Sequence, residues 1–164
     1  MRRALVVGGA NGIGLSIALQ LAERGDVEKV YVVDRASLDP QYAHHKIETF
    51  EFDLTSSDFG FFDRFTDIDT LMVTAGFGHL ALFKDITEDY IISSMNVNAT
   101  AVMRLVHRFY DRIASADDFY CGVMVSIAGF MSSPFFSVYG ASKAALKIFI
   151  ESVNVELEKG GFSN

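Results

Sequence analysis

Tyr139 and Lys143 are the two residues of this sequence whose types and spacing most directly suggest chemistry. They lie four positions apart in the stretch YGASK, and residues at that spacing share one face of a helix. A positive charge beside a phenol favours the phenolate, so the proton moves more readily near neutral pH. The pair suits a general acid or base. The same spacing also occurs in an ordinary amphipathic helix with a half-buried Tyr and a solvated Lys.

The elements that would position this pair are predicted by apolar runs that alternate with helical spacing. Short apolar runs bounded by turn residues indicate strands that are buried on both faces. Alternation of such strands with helices is typical of a doubly wound parallel sheet with helices on both faces, an α/β fold. We expect strands at Ala4–Val7, Val30–Val33, Ile47–Phe52, Thr70–Thr74 and Phe119–Ile127, and helices after Gly12 and at Thr55–Phe65, Asp89–Ile113 and Ser137–Lys159.

Composition narrows the class of protein. The 164 residues are 50% hydrophobic and 21% charged, which is typical of one globular domain, here residues 1–164. A net charge of -7 argues against partners such as nucleic acid and anionic membranes. The lone Cys121 excludes an internal disulfide and favours a reducing, cytoplasmic location. The four histidines lack a clustered ligand spacing, so we predict no metal site.

The uncharged run Ala4–Ala22 superficially resembles a membrane span. Its glycines and polar residues break the continuous apolar surface that a bilayer helix requires. A strand, a turn and a helix explain it better, and Gly14, Ala18 and Ala22 form a stripe of small residues that would let this helix approach the sheet closely.

A glycine-rich turn joins the first predicted strand to the first helix. In VVGGANGIG, Gly8, Gly12 and Gly14 are spaced as G-x-x-x-G-x-G, which allows the backbone to approach a ligand. The N-terminus of a helix presents unpaired N–H groups and partial positive charge, which suit a pyrophosphate. Asp34 ends the second strand, twenty positions after Gly14, and an acid there can bond the ribose hydroxyls. Its charge favours NAD over NADP, while Arg35 would soften the repulsion of a 2'-phosphate.

These residues resemble the short-chain dehydrogenase/reductase family, which pairs this glycine spacing with a Y-x-x-x-K motif. Ser126 precedes Tyr139 by thirteen positions, as in many members. The segment VNATA makes Asn98 similar to the family's catalytic asparagine. The resemblance implies a Rossmann-type sheet of strand order 3-2-1-4-5, and an oxidoreductase that interconverts a secondary alcohol and a ketone.

The resemblance also assigns roles. Tyr139 would give or take the proton, Lys143 would favour the phenolate and bond the nicotinamide ribose, Ser126 would bond the substrate oxygen, and Asn98 would fix a water. The cofactor, NAD with NADP as the alternative, would contact Gly8, Asn11, Gly12, Ile13, Gly14, Asp34, Arg35, Asp53, Leu54, Ala75, Gly76, Tyr139 and Lys143. From position alone, and not from the resemblance, we also expect Phe77, Gly78 and His79, which follow the fourth strand, to border the substrate. Family members pair subunits through helices matching Asn98–Ile113 and Ser137–Lys159, which implies a homodimer or homotetramer.

Three departures from the family pattern temper these expectations. Val7 replaces the usual threonine before the first glycine, and Thr74 replaces an asparagine of N-N-A-G, so hydrogen bonds that brace the glycine turn would change. The sequence ends at Asn164, before the strands and substrate segments that follow in the family. We therefore expect either that the sequence is incomplete or that the chain is a C-terminally truncated, impaired relative. A noncatalytic NAD-binding or interaction protein is the alternative to an enzyme.

Overall fold

The structure is a computed structural model that describes residues 2–115 and 118–161. Contacts group these residues into two compact units. The first unit holds residues 2–75 and 118–124, and the second holds residues 76–115 and 125–161. The expectation of a single domain stays a prediction.

The first unit is built on a parallel five-stranded sheet. The strands are β1 (Arg2–Val7), β2 (Val27–Asp34), β3 (Ile47–Glu51), β4 (Thr70–Val73) and β5 (Tyr120–Val123). Their order is β3-β2-β1-β4-β5, and each neighbouring pair runs parallel. The predicted Rossmann-type strand order is confirmed. The fifth strand is shorter than predicted, because Ser126 caps a 3-10 helix at Ile127–Gly129 instead of continuing the strand.

Helix α1 (Gly12–Glu23) packs on this sheet through its small residues. Ala18 and Ala22 are buried in one apolar cluster with Val6 of β1 and with Val30 and Val32 of β2. Side chains this short let the helix axis lie close to the strands, as the stripe of small residues predicts. The uncharged run at the N-terminus is therefore β1, a glycine turn and α1. Among residues 2–115 and 118–161, no helix combines the length and apolarity needed to cross a bilayer.

The predicted helix at Thr55–Phe65 is wrong. Only a 3-10 helix at Gly60–Arg64 forms there, because polar side chains bond the local backbone in its place. Asp53 Oδ1 accepts from the Thr55 N–H at 2.8 Å, and Asp58 Oδ1 accepts from the Gly60 N–H at 2.8 Å. Such bonds stabilise turns at the expense of an α-helix.

Packing between aromatic rings stabilises the segment around the 3-10 helix Gly60–Arg64. Phe62 is 1% exposed, and its ring centroid lies 5.0 Å from that of Phe52 and 5.2 Å from that of Phe61. The Arg64 guanidinium lies 4.0 Å from the Phe61 centroid. Edge-to-face and tilted contacts of this kind stabilise apolar clusters beyond simple burial. The cluster comprises Tyr31, Phe50, Phe52, Phe59, Phe61, Phe62 and Phe65.

The second unit is helical. It contains α2 (Glu88–Met95), α3 (Ala101–Arg108), α4 (Tyr110–Ile113) and α5 (Ser137–Lys159). The bounds of α5 match the prediction. The predicted single helix Asp89–Ile113 is wrong in its continuity, because a π-helical turn at Asn96–Thr100 separates α2 from α3 and Phe109 separates α3 from α4.

We expect Phe62→Ala to lower the free energy of unfolding by about 3 to 5 kcal/mol, since it opens a cavity among closely packed rings. Urea denaturation measures this change. Phe83→Ala is the matched control, because Phe83 is 64% exposed, and its effect should stay within about 0.5 kcal/mol. Equal effects of the two substitutions would show that the aromatic cluster does not stabilise the fold.

Candidate active site

Asn98 is the central residue of a buried polar group in the second unit. It lies in the π-helical turn and is 0% exposed. Its Oδ1 accepts from the Phe77 N–H at 2.9 Å, and its Nδ2 donates to the Phe77 carbonyl at 2.8 Å. One carboxamide thus satisfies both main-chain groups of a residue that is 21 positions away. π-helical turns are frequent at functional sites, and this one aims Asn98 away from its own helix.

Two serines join Asn98 to the helices on which it depends. Asn98 Nδ2 lies 3.0 Å from Ser142 Oγ on α5 and 3.3 Å from Ser94 Oγ on α2. Ser142 Oγ in turn donates to the Tyr139 carbonyl at 2.7 Å. Both serines are fully buried, where hydrogen-bonded polar groups strengthen one another in a low dielectric. Asn98 is therefore fixed from both helices.

Lys143 is a buried cation beside Asn98. Its side chain lies on α5, and the residue is 4% exposed. A Cβ placed on Gly76 would lie 3.1 Å from Asn98 Oδ1 and 3.2 Å from Lys143 Nζ. Gly76 is thus a residue whose missing side chain lets the backbone reach both polar groups. Burial lowers the pKa of Lys143 below its ordinary value, because the charged form loses its hydration.

Tyr139 lies against the same stretch of backbone. A Cβ placed on Gly78 would lie 3.0 Å from Tyr139 Cδ2 and 3.2 Å from Cγ. The Phe136 ring is 5.8 Å from the Tyr139 ring. We name residues Gly76–His79 the GFGH loop. Asn98, Lys143 and Tyr139 all contact this loop, so the structure brings these three predicted residues together.

Ser126 opens the 3-10 turn that packs on α5. Its Oγ accepts from the Ala128 N–H at 3.2 Å, which leaves the hydroxyl proton available for donation. Three residues later, a Cβ placed on Gly129 would lie 2.7 Å from the Lys143 carbonyl. The turn that carries Ser126 therefore touches the backbone of the helix that carries Tyr139 and Lys143.

The glycine turn is the candidate ligand site of the first unit. Gly8 has φ +88° and Gly12 has φ +55°, a region that glycine adopts without strain. A Cβ on Gly8 would lie 2.6 Å from Ala75 Cα, and one on Gly14 would lie 2.9 Å from the Gly8 carbonyl carbon. Ordinary side chains at these positions would push β1, α1 and the end of β4 apart.

Thr74 braces this turn. Its Oγ1 lies 3.0 Å from the Gly8 carbonyl and 3.1 Å from the Val7 carbonyl. The residue that departs from the family pattern thus supplies a hydroxyl to the turn, while Val7 has none. The sequence predicts that the hydrogen bonds bracing the glycine turn differ from those of the family. In the structure, the donor of these bonds is the Thr74 hydroxyl.

Asp34 ties the glycine turn to the end of β2. Its Oδ2 accepts from the Ala10 N–H at 3.0 Å, and its Oδ1 accepts from the Ala36 N–H at 3.1 Å. Each carboxylate oxygen retains a further lone pair for another donor. Asp53 accepts from the Thr55 N–H and hydroxyl, and these bonds hold the pKa of Asp53 below its ordinary value.

Comparison with known proteins decides the family. A sequence profile described as short chain dehydrogenase matches residues 2–162. The chain belongs to the short chain dehydrogenase family. An uncharacterized short-chain type dehydrogenase/reductase of Sinorhizobium fredii is 32% identical over 157 residues, which cover 94% of this chain and 63% of that protein.

Two further relatives show how widely the resemblance extends. Human 17-beta-hydroxysteroid dehydrogenase type 1 is 30% identical over 168 residues, covering 93% of this chain and 51% of that protein. A crystal structure of 3-oxoacyl-[acyl-carrier protein] reductase from Brucella melitensis in complex with NAD has a TM-score of 0.79 and 28% identity, covering 96% of this chain and 68% of that one. The chain thus spans between half and two thirds of the length of these two curated relatives.

Several residues of the candidate site were not predicted from the sequence. Ser142 lies within YGASK itself, one helical turn from Tyr139, and that spacing was an available signal. Ser94 precedes Asn98 by four positions, which a π-helical turn makes hard to interpret. Thr74 was noted as a departure but not as a donor. Of the cofactor-binding predictions, Asn11, Ile13 and Arg35 have exposed side chains.

The lowered pKa of Lys143 predicts how stability depends on pH. Between this lowered pKa and the ordinary value of about 10.4, the unfolded chain binds more protons than the folded chain, so stability rises with pH. We expect Lys143→Met to equal or exceed the wild type in free energy of unfolding at pH 7, because it removes the buried charge. That difference should shrink as pH approaches 10.

Urea denaturation of both proteins from pH 6 to pH 10 measures this difference. Lys159→Met, at the exposed end of α5, is the control and should show no such pH dependence. A difference between wild type and Lys143→Met that stays constant across this range would contradict the account.

Proposed function

We propose that this chain supplies the cofactor-binding and acid–base parts of an NAD-dependent oxidoreductase that interconverts a secondary alcohol and a ketone. The observation that carries the proposal is the cluster of Asn98, Lys143 and Tyr139 around the GFGH loop. A buried cation disfavours folding, so its retention beside a phenol supports a chemical role. A protein that only bound NAD would have no use for this proton-transfer set.

The glycine turn fits a dinucleotide. The first turn of α1 has no side-chain cap from Asn11 and no acidic residue, so its N–H groups remain available to an anion. A Cβ on Gly12 would point into open space, which leaves room beside those groups. Gly12, Ile13 and Gly14 would hold the pyrophosphate, Asp34 the adenosine ribose, and Asp53 with Leu54 the adenine. The family resemblance also implies cofactor contacts with Ala75 and with Gly76.

Asp34 supports NAD rather than NADP. Its carboxylate would repel a 2'-phosphate and bond the ribose hydroxyls, and it already anchors the turn through Ala10. Arg35 is exposed and remains the group that would favour NADP. The NAD complex of the Brucella melitensis reductase supports the same choice.

We propose the acid–base steps that the family resemblance implies, carried out by side chains of the second unit. When bound, the nicotinamide supplies or accepts the hydride. Tyr139 gives its phenolic proton to the carbonyl oxygen in reduction and takes the alcohol proton in oxidation. Lys143 stabilises the phenolate by its charge, and the Ser126 hydroxyl donates to the substrate oxygen as charge develops there. Asn98 fixes the GFGH loop, which lies against Lys143 and Tyr139.

The composition of the segments that follow the GFGH loop and Ser126 supports an uncharged, apolar substrate. Exposed apolar residues follow the GFGH loop at Leu80, Leu82 and Phe83. A second set of exposed apolar residues follows Ser126. The Ala81 N–H donates to the Phe135 carbonyl at 3.2 Å, and this bond joins the two segments. Neither segment 76–83 nor 127–136 contains Asp, Glu, Lys or Arg. The names of the relatives, a hydroxysteroid dehydrogenase among them, are compatible with such substrates.

Self-association and location stay proposals. We propose a homodimer or homotetramer through α5 and the helical run Asn98–Ile113, as the family resemblance implies, in the cytoplasm. Ile148 and Val155 on α5 are exposed and are available for such a contact. Light scattering at several concentrations would test it.

Tyr139→Phe should lower kcat by about a hundredfold or more, since it removes the proton that is transferred, while NAD affinity stays within a few-fold of wild type. Turnover is followed by NADH absorbance with cyclohexanol, 1-phenylethanol and their ketones as probes, and NAD affinity by calorimetry. Tyr42→Phe, in the first unit, is the control and should leave both quantities unchanged. Unaltered turnover in Tyr139→Phe would reject Tyr139 as the acid or base.

Asp34→Ala should weaken NAD binding by about tenfold, because it removes charge-assisted hydrogen bonds, and should improve NADP relative to NAD. Asp34→Asn removes the charge but keeps one accepting oxygen, so it separates repulsion from bracing of the turn. Titration of each cofactor into each variant measures the ratio, with Asp111→Ala as a charge-matched control. An unchanged NAD to NADP ratio in both Asp34 variants would refute the ribose assignment.

A further inference from the structure

Tyr90 lies on α2, outside the acid–base set, and holds the GFGH loop at two places. Its hydroxyl oxygen accepts from the His79 N–H at 2.8 Å. Its ring packs edge-on against the Phe77 ring, with centroids 5.8 Å apart and planes at 79°. A second ring contact, to His79, has centroids 5.7 Å apart. Tyr90 therefore fixes both residues that flank Gly78.

Gly78 is the residue of the loop that touches the Tyr139 ring. A Cβ at this position would lie between 3.0 and 3.3 Å from three ring atoms of Tyr139. A side chain at position 78 would therefore require a neighbour to move by a few tenths of an ångström, so the Tyr139 ring occupies the space that a Cβ would need. The position of Gly78 therefore limits the position of the phenol.

We infer that Tyr90 is a positioning residue, which holds the GFGH loop so that Gly78 fixes the ring of Tyr139. The inference rests on the proposed function, since the position of Tyr139 matters only if its proton is transferred. Asn98 holds the loop through Phe77 from one side, and Tyr90 holds its other end at His79. Proton transfer requires close alignment of the donor, so a loop held at one end only would lower turnover.

If the role of Tyr90 were purely structural, Tyr90→Phe would leave the Tyr139 ring in place. The positioning role predicts a displaced ring in a protein of nearly unchanged stability. His79 is exposed, so water can replace the Tyr90 hydroxyl at its N–H with little loss of stability. Tyr90→Phe keeps the ring contacts and removes only that hydrogen bond. The expected consequence is a displaced loop in a protein that remains folded, with a thermal midpoint close to that of wild type.

Nuclear magnetic resonance of the full chain tests the geometry without substrate or cofactor. In protein with ¹³C-labelled tyrosine rings, the Tyr139 signals are those lost in Tyr139→Phe. They should move by more than one linewidth in Tyr90→Phe and in Gly78→Ala, which displaces the ring directly. Tyr110→Phe, in the same unit, should leave them in place. Unmoved Tyr139 signals in Tyr90→Phe would overturn the inference.

Kinetics test whether the displacement affects chemistry. With cyclohexanol and NAD, Tyr90→Phe should lower kcat by about three- to tenfold while the KM for NAD stays unchanged. This split between kcat and KM is expected because the displaced ring changes the alignment of the proton donor and leaves the glycine turn unchanged. An unchanged kcat, or a fall in kcat accompanied by an equal rise in the KM for NAD, would indicate a structural effect and would count against the inference.

The double variant separates this inference from the proposed function. If Tyr90 acts through Gly78, the effects of Tyr90→Phe and Gly78→Ala on kcat should combine to less than their product. Independent, multiplicative effects would overturn the inference. Full turnover in Tyr139→Phe would instead refute the proposed function, whereas the movement of the Tyr139 signals in Tyr90→Phe would still report the positioning contact.

Discussion

The hydrogen bonds between the Asn98 carboxamide and both main-chain groups of Phe77 are the constraint on which the candidate site depends. They fix the GFGH loop, and that loop lies against Lys143 at Gly76 and against Tyr139 at Gly78. The π-helical turn that exposes this carboxamide to the loop interrupts the helical run.

The buried polar side chains of the candidate site lower the free energy of unfolding. Four polar residues of the second unit are buried: Ser94, Asn98, Ser142 and Lys143. Burying a polar group costs free energy unless the group is hydrogen-bonded. Among the described residues, no buried side-chain nitrogen or oxygen lacks a hydrogen-bond partner, so most of this penalty is offset. Burial still disfavours the charged form of Lys143, and this lowers its pKa below the ordinary value. A charge that destabilises the fold beside a phenol is what acid–base chemistry would retain.

The sequence predicted the fold well because two periodic signals determine it. Buried strands and the small-residue stripe of α1 gave the parallel sheet, and the Tyr139–Lys143 spacing gave α5. Prediction failed at Thr55–Phe65, where apolar phenylalanines at helical spacing belong to a ring cluster and Asp and Ser side chains bond the local backbone. The contacts of Asn98 with Phe77 could not be predicted, since they join residues 21 positions apart through a π-helical turn. Such contacts depend on the folded path of the chain and leave no local pattern.

Hydrogen exchange at the Phe77 amide tests the central claim most directly, because Asn98 Oδ1 is its acceptor. The account predicts that this amide exchanges at least about a hundredfold more slowly than an unprotected amide in the wild type. In Asn98→Leu it should lose that protection, while the amides of β1 and β2 keep theirs. Equal protection of Phe77 in the two proteins would show that Asn98 does not hold the loop, and would contradict the account.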